Sequence, residues 1–172
     1  MRAVTLIMLL ILAGSVLADP LDEHQVKAAF LYNFTKFVEW PPERLGGMDP
    51  IVIGVYGHSR VCAELYDVVR ERKVNGHDVV VKEVHAVAEA KAVHALFMGA
   101  EEDDRVRDVL PSIRGAGVLT VGETPRFAQQ GGMIVFIREG DKLRFQINAA
   151  AAEQSGLKIG SQLLRLARPG RS

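Results

Sequence analysis

The sequence predicts an α/β protein: a single domain in three layers, with a mostly parallel central sheet, helices on both faces and an antiparallel hairpin near the carboxyl end. Three observations carry this. Short, continuous apolar runs recur along the chain, the character of strands buried on both faces. Helical and strand signals alternate four times at short intervals, as in parallel strands joined by crossover helices. Past Gly132 the style changes to two strands separated by Glu139-Gly140-Asp141, which reads as a hairpin.

The elements follow in order. Residues 26–40 hold five aromatics, and Val26, Ala29, Phe30, Asn33, Phe34 and Phe37 recur at three- and four-residue steps. That spacing predicts a helix with these residues on its core face, Asn33 among them as a buried polar group bonded to backbone. Pro41 and Pro42 should end it, since proline lacks an amide hydrogen and pushes its predecessor out of the helical region. Ile51-Val52-Ile53-Gly54-Val55-Tyr56 is the first strand. Gly57-His58-Ser59-Arg60 turns into a helix over 61–72, with Leu65, Val68 and Val69 inward.

Asn75-Gly76 marks a turn, and Val79, Val80 and Val81 a second strand. A short helix over 86–93 leads to a third strand at 94–98. The acidic run Glu101-Glu102-Asp103-Asp104 suits the start of a helix over 103–113, where Val106, Val109, Leu110 and Ile113 share a face. Residues 117–122 form a fourth strand. In the hairpin, Leu143, Phe145 and Ile147 alternate with Lys142, Arg144 and Gln146, so one side is solvated. Asn148 suits the cap and Gly156 the stop of a helix over 149–155. Ser161 should cap a last helix that docks Leu163, Leu164, Leu166 and Ala167.

The chain opens with Arg2 and an apolar run over residues 3–18 that closes on Val16-Leu17-Ala18. This is the pattern of a cleaved signal peptide, and it falls short of the roughly 20 residues that span a bilayer. The expectation is a leader over 1–18 and one domain over 19–172, exported and soluble. The 21 basic residues balance the 21 acidic ones, which leaves no electrostatic footprint for nucleic acid. Cys62 is the single cysteine, so no internal disulfide can form and stability must come from the core.

Familiar catalytic spacings are missing from the sequence. It has no G-x-S-x-G elbow, no phosphate loop and no G-x-G-x-x-G. His24, His58, His77, His85 and His94 show no tight metal-ligand spacing, so neither metal nor cofactor is assigned. Glu123 stands where a catalytic base would, at the end of a strand, but without a visible partner. In such folds ligands gather at the carboxyl ends of strands. Ser59 and Arg60, at a helix start there, read either as a site for a small phosphate or carboxylate or as a plain cap followed by a surface arginine. Tyr32 and Trp40 flank the apolar face of the first helix and read either as core or as anchors for a protein partner.

The segment Ala29-Phe30-Leu31-Tyr32-Asn33-Phe34-Thr35-Lys36-Phe37-Val38-Glu39-Trp40-Pro41 resembles the opening signature of the YfiR family of exported proteins (YfiR/HmsC-like). Gly117-Val118-Leu119-Thr120-Val121-Gly122-Glu123, then Gly131-Gly132-Met133-Ile134 through Phe145-Gln146-Ile147-Asn148, agree with it. So does the close from Gly156-Leu157-Lys158-Ile159 to Leu166-Ala167. The resemblance implies a non-enzymatic periplasmic repressor that binds the periplasmic sensor region of an inner-membrane diguanylate cyclase. Cyclic di-GMP and biofilm formation then stay low. An outer-membrane lipoprotein that sequesters the repressor is the other partner it implies, and a homodimer is a separate expectation. A periplasmic sensor of a small ligand, a nucleotide or another anion, is the alternative, and a hydrolase of unrecognised type a third. Redox-responsive relatives carry paired cysteines; with Cys62 alone, internal redox control is excluded here.

Overall fold

The computed structural model describes residues 22–170. The apolar runs do become strands buried on both faces. β2 (Ile51–Tyr56), β5 (Ala95–Met98) and β6 (Leu119–Gly122) are buried along almost their whole length. β4 (His77–Val84) and β7 (Ile134–Glu139) flank them in parallel, and a seven-stranded sheet runs β3-β4-β2-β5-β6-β7-β8. Its two edge strands are antiparallel: β3 (Lys73–Val74), across the Asn75-Gly76 turn from β4, and β8 (Lys142–Ile147), which completes the expected hairpin.

Strand alternation divides the core in two. Ile51, Ile53, Val55, Phe97, Val121 and Phe136 face one side, under α1 (Glu23–Thr35) and α2 (Arg60–Val69). Tyr56, Val84, Leu96, Met98 and Val135 face the other. There they pack against α3 (Val87–Ala92), α4 (Val106–Ile113) and α5 (Pro125–Gln129). The three expected layers are therefore present. A 3-10 turn, Ala100–Arg105, carries the acidic run that the sequence placed at a helix start, and α4 begins after it. The helix expected over 61–72 stops at Val69.

The carboxyl-terminal part adds α6 (Ala149–Gln154), capped by Asn148 Oδ1 accepting from the Ala151 amide, and α7 (Ser161–Leu166). Of the four residues expected to dock α7, Leu163 is buried and Ala167 partly so, while Leu164 and Leu166 are exposed. A helix this short offers the core a single stripe. Between α6 and α7, β9 (Lys158–Ile159) pairs antiparallel with β1 (Val38–Glu39) as a separate two-stranded sheet that the sequence did not announce.

α1 departs most from expectation. It ends at Thr35, well before Pro41, where the Lys36 amide closes onto the Asn33 and Phe34 carbonyls, because the chain must turn to bring β1 against β9. Its buried side is Lys27, Ala28, Leu31, Tyr32, Phe34 and Thr35. Val26, Ala29 and Phe30 are only half-buried. Asn33 is exposed, its Oδ1 accepting from Lys36 Nζ at 2.9 Å rather than lying in the core. Phe34 ties α1 to the hairpin, with ring centroids 5.0 Å from Phe145 and 5.9 Å from Phe136. Phe30 covers the edge of the same cluster.

The stretch from Lys36 to Pro50 has little ladder of its own and is held by His94. The Val52 amide donates to His94 Nδ1 at 3.0 Å, so the ring proton sits on Nε2, which donates to the Arg44 carbonyl at 2.8 Å. Trp40 Nε1 donates to the His94 carbonyl at 3.1 Å, and Arg44 Nη2 to that of Val93 at 2.6 Å. Burial, more than any neighbour, pushes the His94 pKa down, so the imidazole stays neutral.

Two outcomes are expected. Phe34→Ala should cost about 3–5 kcal/mol, the range for a buried Phe, and Phe30→Ala clearly less; denaturant midpoints compare them. Above about pH 6.5 His94 is neutral in both folded and unfolded chains, and its contribution to stability is complete. Below that, the unfolded chain takes up a proton that the folded one resists, so the melting temperature should fall with pH. The fall should be shallower in His94→Gln.

Candidate functional site

β6 pairs with β7 only through Val121–Ile134 and Gly122–Val135, whereas β7 runs on against β8 as far as Glu139. Beyond Gly122 the chain leaves the sheet for α5, and a cleft of about 1070 Å³ opens at the carboxyl ends of β5 and β6. Ala100 and Glu123 lie at its base. Glu23 and Lys27 of α1, Pro125 and Ala128 of α5, and Arg138, Leu143, Gln146 and Arg168 also line it.

The sequence reading assigned no element to α5, although its signals are in the sequence. Thr124 is its cap, accepting from the Phe127 amide at 3.1 Å, and Pro125 takes the first helical position, where a missing amide hydrogen costs nothing. Phe127 then lies directly on two glycines. A Cβ at Gly122 would come within 2.4 Å of its ring, and one at Gly132 within 2.0 Å. Those two glycines let α5 approach the sheet and so shape the cleft.

The electrostatics of the cleft centre on Lys27, which is 7% exposed. Its Nζ pairs with Glu23 Oε1 at 2.9 Å and with Glu123 Oε2. Glu123 Oε1 accepts from the Ala100 amide at 2.8 Å, and Glu23 Oε2 pairs with Arg138. Across the cleft, Arg168 Nη2 meets Glu139 Oε2 at 2.7 Å. Both oxygens of Glu123 are thus engaged, and proton abstraction from a substrate would first require breaking one of those contacts. Chemically, the cleft offers three cations whose carboxylate partners an anionic ligand could displace.

The other residues singled out from the sequence lie elsewhere. Ser59 caps α2, accepting from the Val61 amide at 3.4 Å, and Arg60 reaches Asp22 at 3.2 Å from an exposed position. Neither lines the cleft. Tyr32 is buried, its hydroxyl donating to the Lys73 carbonyl at 3.4 Å, and Trp40 is half-buried on His94. Lys27, Glu23, Arg138 and Arg168 escaped the sequence reading, because nothing local marks partners so far apart in the chain.

The fold also brings together residues that sequence spacing kept apart. Histidine spacing predicted no metal-ligand set, yet His58 and His85 converge on Glu83, with one ligand atom from each within 4.8 Å of the others. Parallel neighbours β2 and β4 end side by side, and that brings together residues remote in sequence.

Residues 24–168 match the family model described as YfiR/HmsC-like. No curated protein matches the chain.

Removing the cation at the centre of the cleft should be costly. Lys27→Met leaves Glu23 and Glu123 facing each other and should destabilise by about 3 kcal/mol, the low end for a buried pair that loses one partner. Adding Glu123→Gln should return part of that loss, as a double-mutant cycle on denaturant midpoints would show.

Proposed function

Because the chain belongs to the YfiR/HmsC-like family, we propose that it is an exported, non-catalytic regulator. In this reading it restrains an inner-membrane diguanylate cyclase through the cyclase's periplasmic region, and so keeps cyclic di-GMP and biofilm formation low. The observation that carries this is the family match itself, which runs unbroken from α1 to the end of α7. Two features support it. Among the described residues no helix is long and apolar enough to cross a membrane. The carboxylate best placed for catalysis, Glu123, is tied to Lys27 and a backbone amide.

The surface we assign to the cyclase is the outer side of α1. Val26, Ala29 and Phe30 leave a shallow, almost wholly apolar depression of about 240 Å³, edged by Gln25 and Asn33. Such a stripe accepts the apolar side of a partner helix. Around it a stable complex would bury at least about 1,000 Å². This moves the partner-binding role from Tyr32 and Trp40, which make internal contacts, to the residues beside them. An outer-membrane lipoprotein that sequesters the protein would compete for the same side.

A second reading is favoured by the cleft. Lys27, Arg138 and Arg168 around about 1070 Å³ suit a small anionic ligand that would modulate the regulator.

Deleting the gene should raise cyclic di-GMP and surface attachment, and the wild-type gene should restore both. Phe30→Asp should be exported at normal levels and fail to restore them; Cys62→Ser should restore them fully. Unchanged cyclic di-GMP in the deletion strain, with the candidate cyclases expressed, would overturn the regulatory reading.

A further inference from the structure

On the sheet face covered by α1 and α2, the ends of β2 and β4 bring two imidazoles to one carboxylate. Glu83 lies near the end of β4 and His85 directly follows the strand, two residues on, so extended backbone sends both side chains to one side. His58 comes from the loop after β2, which is held against β4 by the Gly57 amide donating to the Val84 carbonyl at 2.8 Å. The backbone at His85 is fixed at both ends. Its amide donates to Glu89 Oε2 at 2.8 Å, and its carbonyl accepts from the Tyr56 hydroxyl at 3.5 Å. The side chains therefore stand on an anchored frame rather than on a free loop.

Two of the three pairs of ligand atoms lie near coordination spacing. His58 Nδ1 and His85 Nε2 are each 3.6 Å from the same oxygen, Glu83 Oε2. In a tetrahedral zinc site with bonds of about 2.0–2.1 Å, neighbouring ligand atoms are about 3.4 Å apart. A cation placed among the three atoms would need adjustments of only tenths of an ångström at these two pairs, and the two imidazole nitrogens lie within 4.8 Å of each other. Two imidazoles with one carboxylate form a donor set that zinc accepts, with a fourth position left for water. That position is open, since the side chains of His58, Glu83 and His85 are 85%, 43% and 51% exposed.

We propose that His58, Glu83 and His85 form a surface site for a single divalent cation of the zinc class, with three protein ligands and a fourth position facing solvent. The cation neutralises the Glu83 carboxylate and clamps the β2 loop to the end of β4. Its open position can take water or a donor group from another molecule.

Calorimetric titration of the chelator-stripped protein with zinc chloride tests this. One equivalent should bind, and His58→Ala and His85→Ala should each weaken zinc by about tenfold or more, at least the scale of a lost outer-shell contact. Glu83→Gln should weaken it too, and His77→Ala should not. Cobalt(II) in place of zinc should give the intense visible absorption of a four-coordinate centre, absent in the His58→Ala/His85→Ala variant. All three side chains are exposed, so the variants should keep the wild-type circular dichroism. Zinc bound no more tightly by the wild type than by the double variant, or a cobalt spectrum unchanged between them, would overturn the site.

Discussion

The imidazole of His94 ties the segment around Arg44, which lies outside the seven-stranded sheet, to the junction of β2 and β5. One ring nitrogen takes the Val52 amide and the other gives its proton to the Arg44 carbonyl, while the His94 backbone bonds Val52, Leu119 and the Trp40 indole. Buried backbone groups have to be paired, and the long passage from α1 to β2 has for this mainly the two residues of β1 and single turns at Arg44, Leu45 and Asp49. His94 supplies what is missing. The path of that passage sets where α1 enters, α1 sets where Lys27 stands, and Lys27 sits over Glu123 at the base of the cleft. A neutral ring, with one nitrogen free to accept, is the condition for this arrangement.

The central sheet was legible because its strands are buried on both faces and therefore apolar throughout; Ile51 to Tyr56 admits no other reading. β1, β3 and β9 were not, since two-residue strands carry no period and exist only through their partners. The side of α1 was misread for a different reason. Ala28, Ala29, Phe30, Leu31 and Tyr32 are consecutive and cover every side of the helix, so helical spacing selects no single stripe. The buried side also includes Lys27 and Thr35, polar residues that periodicity sends outward. Thr35 is satisfied by donating to the Tyr32 carbonyl, and Lys27 by its two carboxylates. Only tertiary partners make that side the inner one.

The same reasoning separates the candidate residues. Glu123 was found because strand ends are where such folds gather ligands, and it does lie in the cleft. Its cation came from α1, remote in the chain, where no motif could point. Gly122 and Gly132, quoted from the sequence only as parts of resembling segments, acquire a physical reason in the ring of Phe127, which leaves no room for a side chain at either. The sequence pattern held these constraints without displaying what they were for.

α1, the first of the described elements, rests on nearly the last of them. Phe34 packs on Phe136 and Phe145, and the ion pair from Glu23 to Arg138 spans 115 positions. In kinetic terms this is a closure of high contact order, whose loop entropy must be overcome before any contact repays it. α2 and β2 give α1 an early surface, but the aromatic cluster around Phe34 closes only once the hairpin has been made. The hydrophobic layer over that side of the sheet is therefore completed late, and its final closure waits on residues near the other end of the chain.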